Sequence, residues 1–351
     1  MSNHKNPATT LLRLVSVLGI TLVGAALPAG QAVAAEAEIP SVVRDAADLP
    51  KPLAPGAART HKITIETKEV VGRLGDGSSY EFWTFDGKVP GPFLRVREGD
   101  TVEMTIKNAA DSKLVHSIDL HAVTGPGGGA VATQTPPGKS TKFTFKAINA
   151  GVYVYHCATH LIHQHMSNGM YGLIMVEPKG GMKKVDREFY VMQGELYTAE
   201  AWNSTKGQLT FDANKLAREQ PEYIVFNGHG GVAPVTGSSL MMKAKVGETV
   251  RIYWGVGGPN LTSSFHVIGE IFDRVYNQAS LTSAALTDVQ TTTVAPGGAT
   301  VVEFKLDVPG NYLLVDHALT RLYKGGLGIL AVEGRANPAI FKADVTSGGG
   351  H

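Results

Sequence analysis

Past residue 60 the chain is broken into short runs in which apolar positions interleave with polar ones, rich in Val, Ile, Tyr, Phe and Thr and bounded by Gly and Pro. Such runs read as β-strands, because branched and aromatic side chains pack well on a half-buried pleated surface. Thr101 to Lys107, Thr141 to Lys146, Val152 to His156 and Tyr171 to Val176 form one group; Val250 to Trp254, Thr300 to Lys305 and Tyr312 to Val315 form a second. Thr198 to Arg218 breaks the pattern and is expected to hold a short helix and a long loop. Ahead of all this lies a different signal. Lys5 and Arg13 precede the apolar stretch Leu14 to Leu27, and Ala32-Val33-Ala34 offers small residues for cleavage. The stretch is short for a membrane span and reads as a secretory signal over 1–34, so an exported, soluble, periplasmic protein with no span in the mature chain is expected.

The two groups of strands are copies of one unit. Glu98-Gly-Asp-Thr-Val102 returns as Val246-Gly-Glu-Thr-Val250, Phe85-Asp-Gly87 as Phe226-Asn-Gly228, Pro137-Gly138 as Pro296-Gly297, and Gly151-Val-Tyr153 as Gly310-Asn-Tyr312. His116 and His266 fall at matching points of this alignment. A repeat this long is a duplicated domain rather than a solenoid. The expected layout is an N-terminal extension over 35–59, a first β-sandwich over 60–178, a linker over 179–186, a second β-sandwich over 187–335 and a tail over 336–351. Composition agrees: 41 glycines and 18 prolines suit a turn-rich all-β protein, and 43% hydrophobic residues supply its core. With 32 basic against 31 acidic residues and no basic run, nucleic acid is not an expected partner.

The chemistry lies around Cys157, the one cysteine, which has no partner for an internal disulfide. A buried cysteine on a strand is ordinarily packing. Here it sits in Tyr155-His156-Cys157, after His116-Ser-Ile-Asp119-Leu-His121 and before His165-Met-Ser-Asn-Gly-Met170. A thiolate, two imidazoles and a weak axial methionine make an electron-transfer copper site, and His116, Cys157, His165 and Met170 supply that set. His163 competes with His165, but the spacing to Met170 selects His165; His160 and His163 are then exposed loop histidines. Two histidines remain, His121 and His156. Successive strand residues face opposite ways, so His156 and Cys157 diverge, as do His116 and His121, and a second metal is expected beside the first. Asp119 shares a face with His121 and so stands near that second metal. At the place of Cys157 the second copy has Asp316, so it holds no electron-transfer copper.

The run Phe85 to Pro92, together with His116 to His121, Tyr155-His-Cys157, His165 to Met170, Ser264-Phe-His-Val-Ile-Gly269 and Val315-Asp-His317, resembles the copper-containing nitrite reductases, in particular the neisserial-like subgroup, over roughly residues 60 to 335. The resemblance implies two tandem cupredoxin-type Greek-key β-sandwiches and two copper ions per subunit. It implies a type 1 copper on His116, Cys157, His165 and Met170, and a type 2 copper on His121, His156 and His317, the last from the neighbouring subunit of a homotrimer. By the same resemblance Asp119 and His266 are catalytic and Ile268 crowds the substrate. His266 on its own would read as a satisfied core histidine. The implied reaction is that of denitrification: nitrite, two protons and one electron give nitric oxide and water. A small cupredoxin or c-type cytochrome would supply the electron.

Two rivals stand beside this reading. A multicopper oxidase needs a three-copper cluster built from His-x-His pairs, and the chain has a single His-x-His, His163-Gln-His165. A non-catalytic copper electron carrier would have no use for Asp119, His266 or His317.

Overall fold

The computed structural model describes residues 39–231 and 240–344. The leader, the cleavage region and the end of the tail lie outside these. Among the described residues eighteen strands form four sheets. The first eight are β1 (Thr60–Arg73), β2 (Ser79–Phe85), β3 (Leu94–Arg97), β4 (Thr101–Asn108), β5 (Asp119–Leu120), β6 (Ser140–Lys146), β7 (Gly151–His156) and β8 (Tyr171–Glu177). They order as β2-β1-β4-β6 and β3-β8-β7-β5. Ile65, Val102, Met104, Ile106 and Phe145 of one sheet meet Leu94, Val96, Tyr155, Ile174 and Val176 of the other in a single core. β4 shows why: its buried residues Val102, Met104, Ile106 and Asn108 alternate with less buried ones.

The other ten strands repeat the scheme: β9 (Arg187–Leu196), β10 (Tyr223–Phe226), β11 (Leu240–Lys245), β12 (Thr249–Gly258), β13 (Ser263–Ile268), β14 (Arg274–Tyr276), β15 (Thr291–Val294), β16 (Ala299–Lys305), β17 (Gly310–Asp316) and β18 (Leu327–Glu333). Their sheets are β10-β9-β12-β16-β14 and β11-β18-β17-β13-β15, the first sandwich's order with one strand added to each. The repeat extends to turn conformations. Asp86 and Gly87 take φ of 57° and 69°, Asn227 and Gly228 take 51° and 75°, and Gly99 and Gly247 take 96° and 91°. The left-handed region tolerates Asn, Asp and Gly best, which is why these residue types recur. Between Thr198 and Arg218 stands the expected short helix, α2 (Ala213–Ala217), with the Asp212 carboxylate accepting from the Asn214 and Lys215 amides.

The sheet β3-β8-β7-β5 is buried on both faces. Tyr155 and Ile174 face the first core, whereas Val152, Val154, Leu173 and Met175 pack on Tyr190, Met192, Tyr253 and Val301 of the second sandwich. β8 is accordingly buried along its whole length. Residues 42–46 are caught between the sandwiches. Val89 N donates to Val42 O (2.8 Å), Arg44 N to Val89 O (3.1 Å), Tyr190 N to Ala46 O (2.8 Å) and Asn227 Nδ2 to Arg44 O (3.1 Å). Among the described residues no helix is long and apolar enough to cross a membrane.

Candidate metal centres

At the open end of the doubly buried sheet, two groups of ligand side chains lie on its opposite faces. Cys157 follows the last residue of β7 and points into the first core, with Tyr155. His156, one residue earlier, has the parity of Val152 and Val154 and faces the second sandwich.

The first group is His116, Cys157 and His165, whose ligand atoms lie within 4.8 Å of one another. His116 Nδ1 is 3.3 Å from His165 Nδ1 and 4.0 Å from Cys157 Sγ, and His165 Nδ1 is 3.3 Å from that sulfur. The backbone links the set: Cys157 N donates to Met170 O and Met170 N to His165 O, both at 3.1 Å. His165 sits in the single-turn helix α1 (Ile162–Ser167). His116, Cys157 and Met170 have no exposed surface, and His165 has 4%. Burial pushes the Cys157 thiol up, but His116 and His165 outweigh it and hold the thiol well below its usual range. Ser117 N donates to the sulfur at 3.4 Å. A thiolate held between two converging Nδ1 atoms and kept dry suits copper.

Two residues that sequence reasoning did not single out for this group complete it. Glu69 on β1 accepts from His116 Nε2 at 3.0 Å and from Ser112 Oγ at 2.9 Å. Burial raises its pKa, but the bonds to His116 and Ser112 dominate and leave it lowered. For His116, burial lowers the pKa, and Cys157 and Glu69 turn the net shift upward. Trp83 packs its ring edge-on to His165 at 4.7 Å between centroids.

The second group is Asp119, His121 and His156. The two Nε2 atoms are 3.1 Å apart, and Asp119 Oδ2 lies 3.9 Å from His156 Nε2. His156 Nδ1 donates to Cys157 O at 2.9 Å, which leaves Nε2 free as a ligand atom. His121 is held by its amide on Val154 O (3.0 Å). Burial first, then the His156 ring, lowers the His121 pKa, which favours the neutral form that binds a metal. Against Asp119 lies the turn Pro126–Ala132, in which Gly127, Gly128 and Gly129 all have positive φ. A Cβ on Gly128 would fall 1.8 Å from Asp119 Oδ1. Only a glycine lets this backbone lie on the carboxylate.

His266 and His317 lie together on the second sandwich, with ring centroids 5.5 Å apart. His266 Nδ1 donates to Gln290 O at 2.6 Å. Ile268 is two residues further along β13 and shares the His266 face. His317 is exposed at the end of β17. Among the described residues His317 is in neither ligand group, so this chain alone brings two histidines, not three, to the second site. His160 and His163 are exposed, as expected, with His163 on α1 rather than in a loop.

Two expectations need correction. Only Asp119 and Leu120 of the segment 116–121 are in a strand, so His116 and His121 diverge because residues 116–118 are irregular, not by strand parity. Nor does His266 match His116. β7 and β17 both begin at the repeated glycine, which makes Val315 the counterpart of His156. Asp119 pairs with His156, and His266 pairs with Val315. The strand register therefore equates His266 with Asp119; sequence alignment missed this because the irregular stretch before Asp119 has a different length.

The chain is similar to known copper proteins along most of its length. A multicopper oxidase family model matches residues 64–181. The copper-containing nitrite reductase of Neisseria gonorrhoeae is 52% identical over 281 residues, 80% of this chain and 70% of that protein. That of Cereibacter sphaeroides is 34% identical, over 78% of this chain and 76% of the other. Among solved structures, a copper nitrite reductase from Nitrosomonas europaea superposes with a TM-score of 0.70 at 35% identity, covering 80% of this chain and 96% of its own. A multicopper oxidase at 22% identity and TM-score 0.67 shares the fold. With 52% and 34% identity to these relatives over most of its length, the chain belongs to the copper-containing nitrite reductase family.

Proposed function

We propose that the chain reduces nitrite to nitric oxide with one electron and two protons, using two copper ions per subunit. One observation carries the division of labour: the two ligand groups lie on opposite faces of one sheet and are joined through the His156–Cys157 peptide bond. The type 1 ligands are His116, Cys157, His165 and Met170. The type 2 ligands are His121 and His156 of one subunit and His317 of its neighbour. When bound, the type 2 copper supplies a Lewis acid for nitrite oxygen and delivers the electron.

The chain's own groups manage the protons. The Asp119 carboxyl, set beside His156, gives a proton to the substrate oxygen that leaves as water. His266 keeps its Nδ1 proton on Gln290 O, so Nε2 is the atom that passes a second proton. Ile268, on the His266 face of β13, would crowd the substrate and help exclude water. A homotrimer brings His266, Ile268 and His317 against the His121–His156 face of the next subunit. The exposed His317, with Leu319 at 44% and Tyr323 at 63% exposure in the turn that follows, fits such an interface. The buried type 1 group, with His165 beneath Trp83, suits electron entry from a small cupredoxin or c-type cytochrome. Export to the periplasm fits the leader and that donor.

The test is anaerobic nitric oxide evolution from nitrite by copper-loaded protein with a chemical reductant. Evolution that stops when type 2 copper is removed is expected. No evolution with both coppers present would leave a non-catalytic electron carrier.

A further inference from the structure

We propose that Asp316 is a positioning residue for His317: a buried carboxylate that fixes an exposed ligand before the neighbouring subunit arrives. The proposal rests on reading His317 as a type 2 ligand.

Asp316 has no exposed surface, although the next four residues are exposed. Its Oδ1 accepts from Ser264 N and from Ala318 N, both at 3.1 Å. Its Oδ2 accepts from Gln193 Nε2 at 3.0 Å and from the Arg321 guanidinium. Arg321 Nη1 also donates to Thr262 O at 2.7 Å, and His317 N donates to Ser264 O at 2.8 Å. The backbone on either side of His317 is thus bonded through one carboxylate and one amide to β13, the strand that carries His266. An exposed side chain on a free loop would lose conformational freedom each time it bound a metal across an interface. Here the backbone part of that cost is met in folding. Asp316 fills the counterpart of Cys157, so the slot that presents a thiolate in the first sandwich anchors a ligand-bearing turn in the second.

The experiment compares Asp316→Ala, Asp316→Asn and His317→Ala in the full-length assembly. Type 2 copper is titrated by electron paramagnetic resonance, with the thiolate–copper absorption and the oligomer mass read alongside. Asp316→Ala is expected to keep the absorption and the mass and to bind type 2 copper at least about tenfold more weakly, the usual cost of losing a ligand's support. Asp316→Asn keeps an oxygen for the Ser264 and Ala318 amides and is expected to recover most of the affinity. Arg321→Gln, on the surface side of the cluster, should shift affinity the same way by less and serves if Asp316→Ala does not fold. Wild-type affinity in Asp316→Ala, or in Arg321→Gln where it replaces it, overturns the proposal. So does parallel loss of type 1 absorption and oligomer. If His317→Ala keeps its type 2 copper, the ligand reading itself fails; if it loses that copper while Asp316→Ala does not, only the positioning role fails.

Discussion

β7 and β17 are the same strand made twice, and four positions at their ends and partners show how little backbone change separates their chemistry. His156 corresponds to Val315, Cys157 to Asp316 and Ala158 to His317 in the repeat, and the pairing partners are Asp119 and His266. In the first sandwich the strand end is a ligand pair pointing both ways. In the second, the histidine stands two residues further on, at His317, and the inward position holds a carboxylate instead of a thiol. The partner position holds a titratable side chain in both. The chemistry a strand end can carry thus depends on which side chains occupy a fixed scaffold.

The comparison can be broken most severely at its centre. Cys157→Asp copies the second sandwich into the first. It should abolish the visible thiolate–copper absorption and donor-driven nitrite turnover while leaving the type 2 resonance; absorption that survives would refute the ligand assignment. Asp119→Asn tests the partner position. Both coppers should stay while turnover falls about 10²–10⁴-fold, the usual worth of a positioned proton donor, and steady-state rates at wild-type copper content decide it. Gly128→Ala reaches the same carboxylate indirectly. The new methyl collides first with the movable end of Asp119, so the fold should hold, at a cost of about 1 kcal/mol for the left-handed backbone. The displaced acid should lower turnover by up to about a hundredfold; a rate equal to wild type would mean that the turn does not set the carboxylate. Glu69→Gln should weaken type 1 copper by about tenfold or more and shift its potential while turnover changes only a few-fold; an unmoved potential would reduce the Glu69–His116 bond to packing.

The smallest effect separates the two sandwiches by stability. Burial, then the charges of Asp273 and Asp307, push Glu270 up from 4.5 to about 7. Its folded pKa exceeds its unfolded value, so the folded state binds the extra proton between about 4.5 and 7. Stability is therefore lost as pH rises through that window and stays low above it. Glu270→Gln should unfold like wild type near pH 4 and a few degrees higher near pH 8 in thermal melts. Equal midpoints at both values would refute the shift.

What could be read in the sequence was local or repeated. His116, Cys157 and His165, whose ligand atoms the fold brings within 4.8 Å of one another, were marked by kind and spacing, and the repeated turns required Asn, Asp or Gly on conformational grounds. Residues joined only by strand pairing stayed hidden. Glu69 lies 47 positions before His116 and reaches it because β1 passes the site; nothing near Glu69 marks it. The equivalence of Asp119 and His266 depends on hydrogen-bond register, which side-chain identity does not encode. Nor did the interleaved apolar pattern show that one sheet is covered on both faces, since Val152 and Val154 read as ordinary strand residues until the second sandwich is set against them.

The segment 42–46 has a consequence for the order of folding. It belongs to the start of the chain, yet its partners include Tyr190 and Asn227, so its docking closes loops of 144 residues (Ala46 to Tyr190) and 183 residues (Arg44 to Asn227). Contacts of that separation form late, after the entropy of closing such loops has been met. A molecule still emerging from synthesis or transport cannot finish its first sandwich's outer seam until the second has begun to fold. The segment therefore acts as a latch that closes only once the second sandwich has begun to form, and a protease cut within 42–46 would be a sensitive mark of molecules whose two halves have not yet come together.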